Sequence, residues 1–318
     1  MKQISAETQR VELLNYMEEQ LDESVRKFEF GELVKAKKIG AGGFGEVWKG
    51  YLTSSSEKST VAIKSIFHLD KQHVDVFLRE INIHSKLQHE NICKLVGVVL
   101  DTRGAYLLTE FISRGSMFEI IHNKNLEITL EKVLSFLFQT AKGMSYLHNI
   151  KPIPILQFAI FFLVSFSLKN VSVFSLVSRD LKSQNLLIDE EWTVKICDFG
   201  MSRTMSSTST MTKLGTLQWV APEVLRNEKY SEKADVYSFA ILVWELLERK
   251  IPYSGRNSIE VAKKVAYSSL RPNVPAKCDP LLEKIMTTCW QEQSSMRPTF
   301  DELQDSLHSR IVQEKNKN

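Results

Sequence analysis

Between Ser178 and Gly200 the chain reads SRDLKSQNLLIDEEWTVKICDFG, a run that places Asp180, Asn185 and Asp198 on either side of a short apolar hairpin. The strand Val194-Lys195-Ile196-Cys197 delivers Asp198 at its end, with a flexible glycine, Gly200, two residues behind. Three such side chains, two suited to a hard metal ion and one to a departing proton, fit the transfer of a phosphoryl group. Such a transfer needs negative charge neutralised and its donor and acceptor oxygens aligned. Ordinary turn chemistry is the bland alternative for residues of these types.

Upstream, Ile39-Gly40-Ala41-Gly42-Gly43-Phe44-Gly45-Glu46-Val47 forms a glycine loop between two apolar segments. Glycines let backbone N–H groups approach phosphates with no Cβ in the way. The same spacing marks dinucleotide folds, but a strand, Val47 to Tyr51, follows here instead of a helix, and no acidic ribose hook follows on a second strand. Val61-Ala62-Ile63-Lys64 reads as a buried strand ending in a lysine, out of place there unless its charge is paired. Lys64 is therefore a candidate for the α- and β-phosphates. Glu80, on the helical stretch around His73 to Leu87, is the candidate that orients it.

The texture from Phe30 to Glu110 is strand-like apart from that one helix. From Met117 onward long helical patterns dominate, as in 130–148, 233–247, 258–266 and 280–290. The expected fold class is α+β in two lobes: a small β-rich lobe with one key helix, then a larger, mainly α-helical lobe. Leu14, Met17, Leu21, Val25 and Phe28 recur at helical intervals, so residues 6–28 read as one amphipathic helix. Its expected role is docking on the neighbouring lobe, with a partner-binding role as the alternative.

In the order and spacing of these motifs the chain resembles the eukaryotic protein kinase family from about Phe30 to Ile311. The resemblance implies that the glycine loop covers ATP and that Lys64 pairs with Glu80. It further implies that Asp180 accepts the substrate hydroxyl proton and that Asn185 and Asp198 hold Mg²⁺. Lys182, two residues after Asp180, is what the family's serine/threonine enzymes carry there, close to the γ-phosphate. Gly215 to Glu223 and Asp235-Val236-Tyr237-Ser238-Phe239 resemble the tyrosine kinase-like group, whose members mostly phosphorylate Ser and Thr. The same resemblance pairs Glu223 with Arg297 as scaffold. It assigns adenine to backbone groups of Glu110 and Ile112 and the back of the pocket to Thr109. Ile39, Val47, Ala62 and Leu187 would sandwich the base, and Gly40, Gly42, Gly43, Phe44 and Gly45 would lie over the phosphates. Ser202, Thr204, Ser206, Ser207, Thr208, Ser209, Thr210 and Thr212 form a hydroxyl-rich stretch in which a phosphate on one residue could pair with Arg179. A plain polar loop is the rival reading.

The implied domains are an N-terminal extension over 1–29, a kinase domain over 30–311 and a tail over 312–318. The kinase domain divides into an N-lobe, 30–110, and a C-lobe, 111–311. Implied partners are ATP, Mg²⁺ and protein substrates with Ser or Thr acceptors. The net charge of +3 comes from mixed signs spread along the chain, so nucleic acid is not an expected partner. Oligomeric state is left open. Cys93, Cys197, Cys278 and Cys289 lie far apart with no CxxC pair, which fits a reducing, cytoplasmic setting with the thiols as small apolar core residues. The first residues carry no apolar signal core, and Lys2 is incompatible with myristoylation.

One segment departs from the resemblance. From Pro152 to Ser178 the only charge is Lys169, and Ser178 stands where the family has histidine. Residues 153–168 are apolar but shorter than the about 18 residues of a membrane span, so membrane insertion is not expected. We read residues 157–177 as translated intron. If Gln157 is encoded CAG and the Phe158 codon begins with T, a GT donor follows CA; if Ser178 is AGC or AGT, an AG acceptor precedes a pyrimidine. Joining CA to the following pyrimidine encodes histidine in front of Arg179. In the chain as written, the alternatives are a catalytically impaired scaffold and, if the insertion is retained in a membrane, an anchored signalling protein. An exposed apolar insertion is also expected to depress soluble expression.

Overall fold

The computed structural model describes residues 6–42, 45–54, 57–66, 70–150, 181–197 and 217–316. The described residues fall into two compact units, one ending at Ser113 and the other beginning at Arg114.

The first unit is built on an antiparallel sheet in the order β1-β2-β3-β5-β4. Its strands are β1 (Leu33–Gly42), β2 (Gly45–Ser54), β3 (Glu57–Ile66), β4 (Leu95–Asp101) and β5 (Gly104–Glu110). Strand side chains alternate between faces. On β3 the buried Val61 and Ile63 therefore join one core with Leu52, Tyr106 and Leu108, while Ala62 and Lys64 face the other way. Gly50 is needed where strands crowd, because a Cβ there would lie 2.4 Å from the carbonyl oxygen of Val34.

Helix α2 (Lys71–His84) starts at Asp70, whose carboxylate accepts the His73 backbone N–H at 3.0 Å. Its Val74, Phe77, Leu78 and Ile81, at helical spacing, pack with Val98, Ala105 and Leu107 of the sheet. Helix α1 (Ala6–Gln20) adds Leu14 and Met17 to the same core.

The expected helix over 6–28 is thus shorter than its apolar period suggests, and the reason is local. The Asp22 carboxylate accepts both the backbone N–H and the hydroxyl of Ser24, at 3.0 and 2.7 Å, a turn that competes with helical hydrogen bonding. Beyond it the chain runs along the outer edge of β4. Val98 N–H donates to the Arg26 carbonyl and Phe28 N–H to the Val98 carbonyl, both at 2.9 Å. Val25 and Phe28 are buried all the same, through an edge pairing instead of a helix face. Gly97 permits this approach, since a Cβ there would come 2.2 Å from the Arg26 carbonyl oxygen.

In the second unit the described helices are α3 (Met117–His122), α4 (Leu130–Asn149), α5 (Pro222–Leu225), α6 (Lys233–Glu248), α7 (Ser258–Tyr267), α8 (Pro280–Cys289) and α9 (Phe300–Lys315). The four longer helical stretches expected there are present, each ending within one residue of its expected end. Helix α6 is buried on nearly every face from Ala234 to Leu246, as the central helix of a helical core must be. It ends at Arg249 in a left-handed conformation (φ 52°), and that guanidinium donates to the carbonyls of Ile121, Asn123 and Leu126. Helix α4 meets α9 through Ser145 and Asn149, which both donate to Asp301. None of the four cysteines is in a disulfide; Cys93 and Cys289 are buried, while Cys197 and Cys278 are only partly so. Among the described residues no helix is long and apolar enough to cross a membrane.

Candidate active site

Lys64 and Glu80 come together in the first unit. The lysine lies near the end of β3 on the face that receives α2, and its Nζ is 2.9 Å from Glu80 Oε1. The lysine side chain keeps 21% of its surface exposed and the glutamate 5%, so a charged head is held in place yet remains reachable. Cross-strand pairing puts Val47 opposite Lys64, and Ala62 opposite Thr109 on β5. Directly paired residues share a face, so Val47, Ala62, Lys64 and Thr109 line one side of the sheet. Ile39 is 47% exposed.

Gly40 and Gly42 sit at the tip of β1, and Gly45 begins β2. A Cβ on Gly45 would fall 1.5 Å from the Ser65 carbonyl oxygen, so no other residue fits where β2 runs so close to β3. Gly43 and Phe44 lie outside the described residues. At the end of β5 the Glu110 backbone N–H donates to the Lys94 carbonyl, and the Glu110 carboxylate accepts the Lys94 N–H at 2.7 Å. The Cys93 thiol lies 3.9 Å from the Glu110 carbonyl oxygen, and the Ile112 side chain is buried.

The second unit carries Lys182, Asn185 and Leu187. A 3₁₀ turn over Ser183–Asn185 leads into β6 (Leu186–Ile188), which pairs with β7 (Val194–Ile196). The Asn185 carbonyl accepts the Cys197 N–H at 2.9 Å, so the hairpin returns the chain beside Asn185 immediately before Asp198. Asp180, Asp198, Arg179, Ser202, Thr204, Ser206, Ser207, Thr208, Ser209, Thr210 and Thr212 lie outside the described residues, as does the whole of 157–178. The described residues hold no cluster of three or more His, Cys, Asp or Glu that could bind a metal.

The expected Glu223–Arg297 pair is present. Both guanidinium Nη atoms donate to the carboxylate, at 2.7 and 2.8 Å, with Arg297 fully buried. The burial and the partners of two further carboxylates escaped sequence reasoning. Asp235, near the start of α6, lies 3.0 Å from His148 Nε2 at the end of α4. Glu245, near the other end of α6, accepts the Ser183 hydroxyl at 2.8 Å on one oxygen and the Trp219 indole N–H at 3.2 Å on the other. His122 Nε2, without a hydrogen-bond partner among the described residues, lies 4.0 Å from Glu245. Burial pushes the Glu245 carboxyl up to about 7, against the opposing pull of the Ser183 and Trp219 hydrogen bonds. The signal that could have exposed both groups is a charged residue inside an otherwise apolar helix, where a structural partner is obligatory.

A glycine-interrupted antiparallel sheet with its lysine paired to a helical glutamate, and a Lys-Ser-Gln-Asn turn feeding a short hairpin, define a phosphotransferase domain of the protein kinase type. The sequence pattern described as "Protein tyrosine and serine/threonine kinase" matches residues 33–153 and 159–307. The chain belongs to this family. It is 35% identical over 280 residues to "Probable serine/threonine-protein kinase SIS8" of Arabidopsis thaliana, covering 87% of this chain and 25% of that protein. It is 36% identical to "Probable serine/threonine-protein kinase drkD" of Dictyostelium discoideum, covering 86% and 19%. To "Serine/threonine-protein kinase CTR1" of Arabidopsis thaliana it is also 36% identical, covering 86% and 31%. These likenesses support membership of the tyrosine kinase-like group. The chain spans less than a third of the length of each of these relatives.

Proposed function

We propose that this chain is an ATP- and Mg²⁺-dependent protein serine/threonine kinase domain acting on protein hydroxyls in the cytoplasm, with 30–311 as the catalytic domain. The observation that carries the reading is the Lys64–Glu80 pair, a charge oriented by a buried carboxylate and still accessible to an anion.

In this reading the Lys64 ammonium neutralises the α- and β-phosphates, and the backbone around Gly40 to Gly45 covers them. Glu110 and Ile112 offer backbone groups to adenine, Thr109 bounds the pocket behind it, and Ile39, Val47, Ala62 and Leu187 supply apolar contacts. The acceptor hydroxyl oxygen forms a bond to the γ-phosphorus as the bond to the bridging oxygen breaks. ADP leaves, and the hydroxyl proton passes to Asp180. Lys182 lies two residues along the chain from Asp180, suited to the charge on the transferred group. Magnesium is normally held by few protein oxygens and completed by phosphates and water, so Asn185 and Asp198 form an adequate donor set. When bound, it neutralises phosphate charge. A phosphate in the 206–212 stretch pairing with Arg179 would order that segment.

The test is transfer of labelled γ-phosphate to a generic protein substrate with Mg²⁺, by the 318-residue chain and by a form lacking 157–177 and carrying Ser178→His. The expected product is phosphoserine or phosphothreonine, lost in Asp180→Asn. Absence of transfer by both forms, or undiminished transfer by Asp180→Asn, would sink the assignment. Equal solubility of the two forms, or a mature transcript that uniformly retains codons 157–177, would remove the intron reading.

A further inference from the structure

We infer that the segment from α1 to Phe28 is a built-in positioning element that holds α2, and with it Glu80, on Lys64, so that nucleotide affinity depends on the segment staying docked. The inference rests on the proposed nucleotide role of Lys64.

The segment grips α2 at both ends. Near the N-terminus of α2, Tyr16 Oη donates to Asp75 Oδ1 at 2.9 Å. Near its C-terminus Asn82 makes two complementary bonds: its Oδ1 accepts the Asp22 N–H and its Nδ2 donates to the Gln20 carbonyl, each at 2.9 Å. The Gln20 carbonyl belongs to the last turn of α1 and has no helical partner of its own, so Asn82 caps one helix from another. Lys86 Nζ lies 3.1 Å from Asp22 Oδ2, just past the end of α2. Between these ties Met17, fully buried, packs in one core with Phe77 and Ile81, the residues flanking Glu80 on the helix.

The far end of the segment is anchored separately, by the two Val98 hydrogen bonds that close the edge of β4. Glu80 and Asn82 are two residues apart on a rigid helix. A displacement at Asn82 is therefore transmitted to Glu80, which must stay within hydrogen-bond range of Nζ. No other described element grips α2 at both ends by side-chain hydrogen bonds.

Asn82→Ala in the full chain removes both capping bonds from a half-buried position. It should raise the KM for Mg-ATP about fivefold, with the KM for the protein substrate unchanged. It should also speed hydrogen exchange of the α2 amides. Tyr16→Phe should do the same to a smaller degree. A merely structural role would lower the active fraction and leave KM alone. In a Glu80→Ala background Asn82→Ala should add nothing to KM, because the effect runs through Glu80. An unchanged KM in Asn82→Ala, or full additivity with Glu80→Ala, overturns the inference. A chain that transfers no phosphate at all contradicts the proposed function instead. In that case α2 exchange in Asn82→Ala matching that of the unaltered chain would overturn the docking claim independently.

Discussion

Two ion pairs, one in each unit, contain the same chemical types and serve opposite ends. Arg297–Glu223 is bidentate and sealed, and its arginine also donates to the Lys233 and Gln291 carbonyls. Lys64 and Glu80 meet through one nitrogen and one carboxylate oxygen at 2.9 Å, with the lysine side chain 21% exposed. Arginine's planar fork suits a permanent buried bridge, whereas lysine's compact ammonium on a flexible stem can exchange a carboxylate for a phosphate. Burial and geometry, more than charge, separate the sealed pair from the open one.

The comparison breaks most visibly at Arg297. Arg297→Met leaves Glu223 buried and unpaired and should destabilise the second unit by about 3 to 5 kcal/mol. Calorimetry checks this, and a loss below about 1 kcal/mol would dissolve the distinction drawn here. Lys64→Met should lower phosphotransfer at least about 100-fold, equivalent to about 3 kcal/mol of transition-state stabilisation. Its melting temperature should stay near that of the unaltered chain. A large stability loss would make Lys64 a structural lysine.

Glu245 sharpens the contrast, because it is a buried carboxyl with hydrogen-bond donors from Ser183 and Trp219 but no Lys or Arg paired with it among the described residues. Its value in the fold, about 7, exceeds the ordinary 4.5, so the folded state binds a proton that the unfolded state releases between those values. The resulting stability is complete below about pH 4.5 and declines as pH rises through about 7, by roughly 3 kcal/mol in all. Glu245→Gln keeps an acceptor for Trp219 and should remove this slope. Unfolding midpoints from pH 5 to 8 that fall equally in both forms would assign the slope elsewhere. The smallest effect is expected from Lys264→Ala, which deletes an exposed i,i+4 pair with Glu260 at 2.7 Å. Its melting curve should overlay that of the unaltered chain.

Much of this was legible in the linear chain, and particular residues show where legibility stopped. Lys64 and Glu80 announced themselves because a lysine closing an apolar strand needs a counter-charge and the next helix offered one. The apolar spacing of Leu21, Val25 and Phe28 misled, since a helical face and an edge strap can both bury residues at those intervals. The buried pairings of Asp235 and Glu245 went unread because their partners, His148 and Ser183, come from elements distant in sequence. The role of Asn82 is invisible for the same reason.

The amino-acid order by itself determined the protein kinase family, the succession of strands and helices, and the pairing of Lys64 with Glu80. These follow from local spacing and side-chain type. Only the tertiary structure decided where α1 stops, that Asn82 caps it from another helix, and that Glu245 holds its proton near neutrality. Each of those depends on which distant groups are brought into contact and how completely water is excluded, and no short stretch of sequence carries that information.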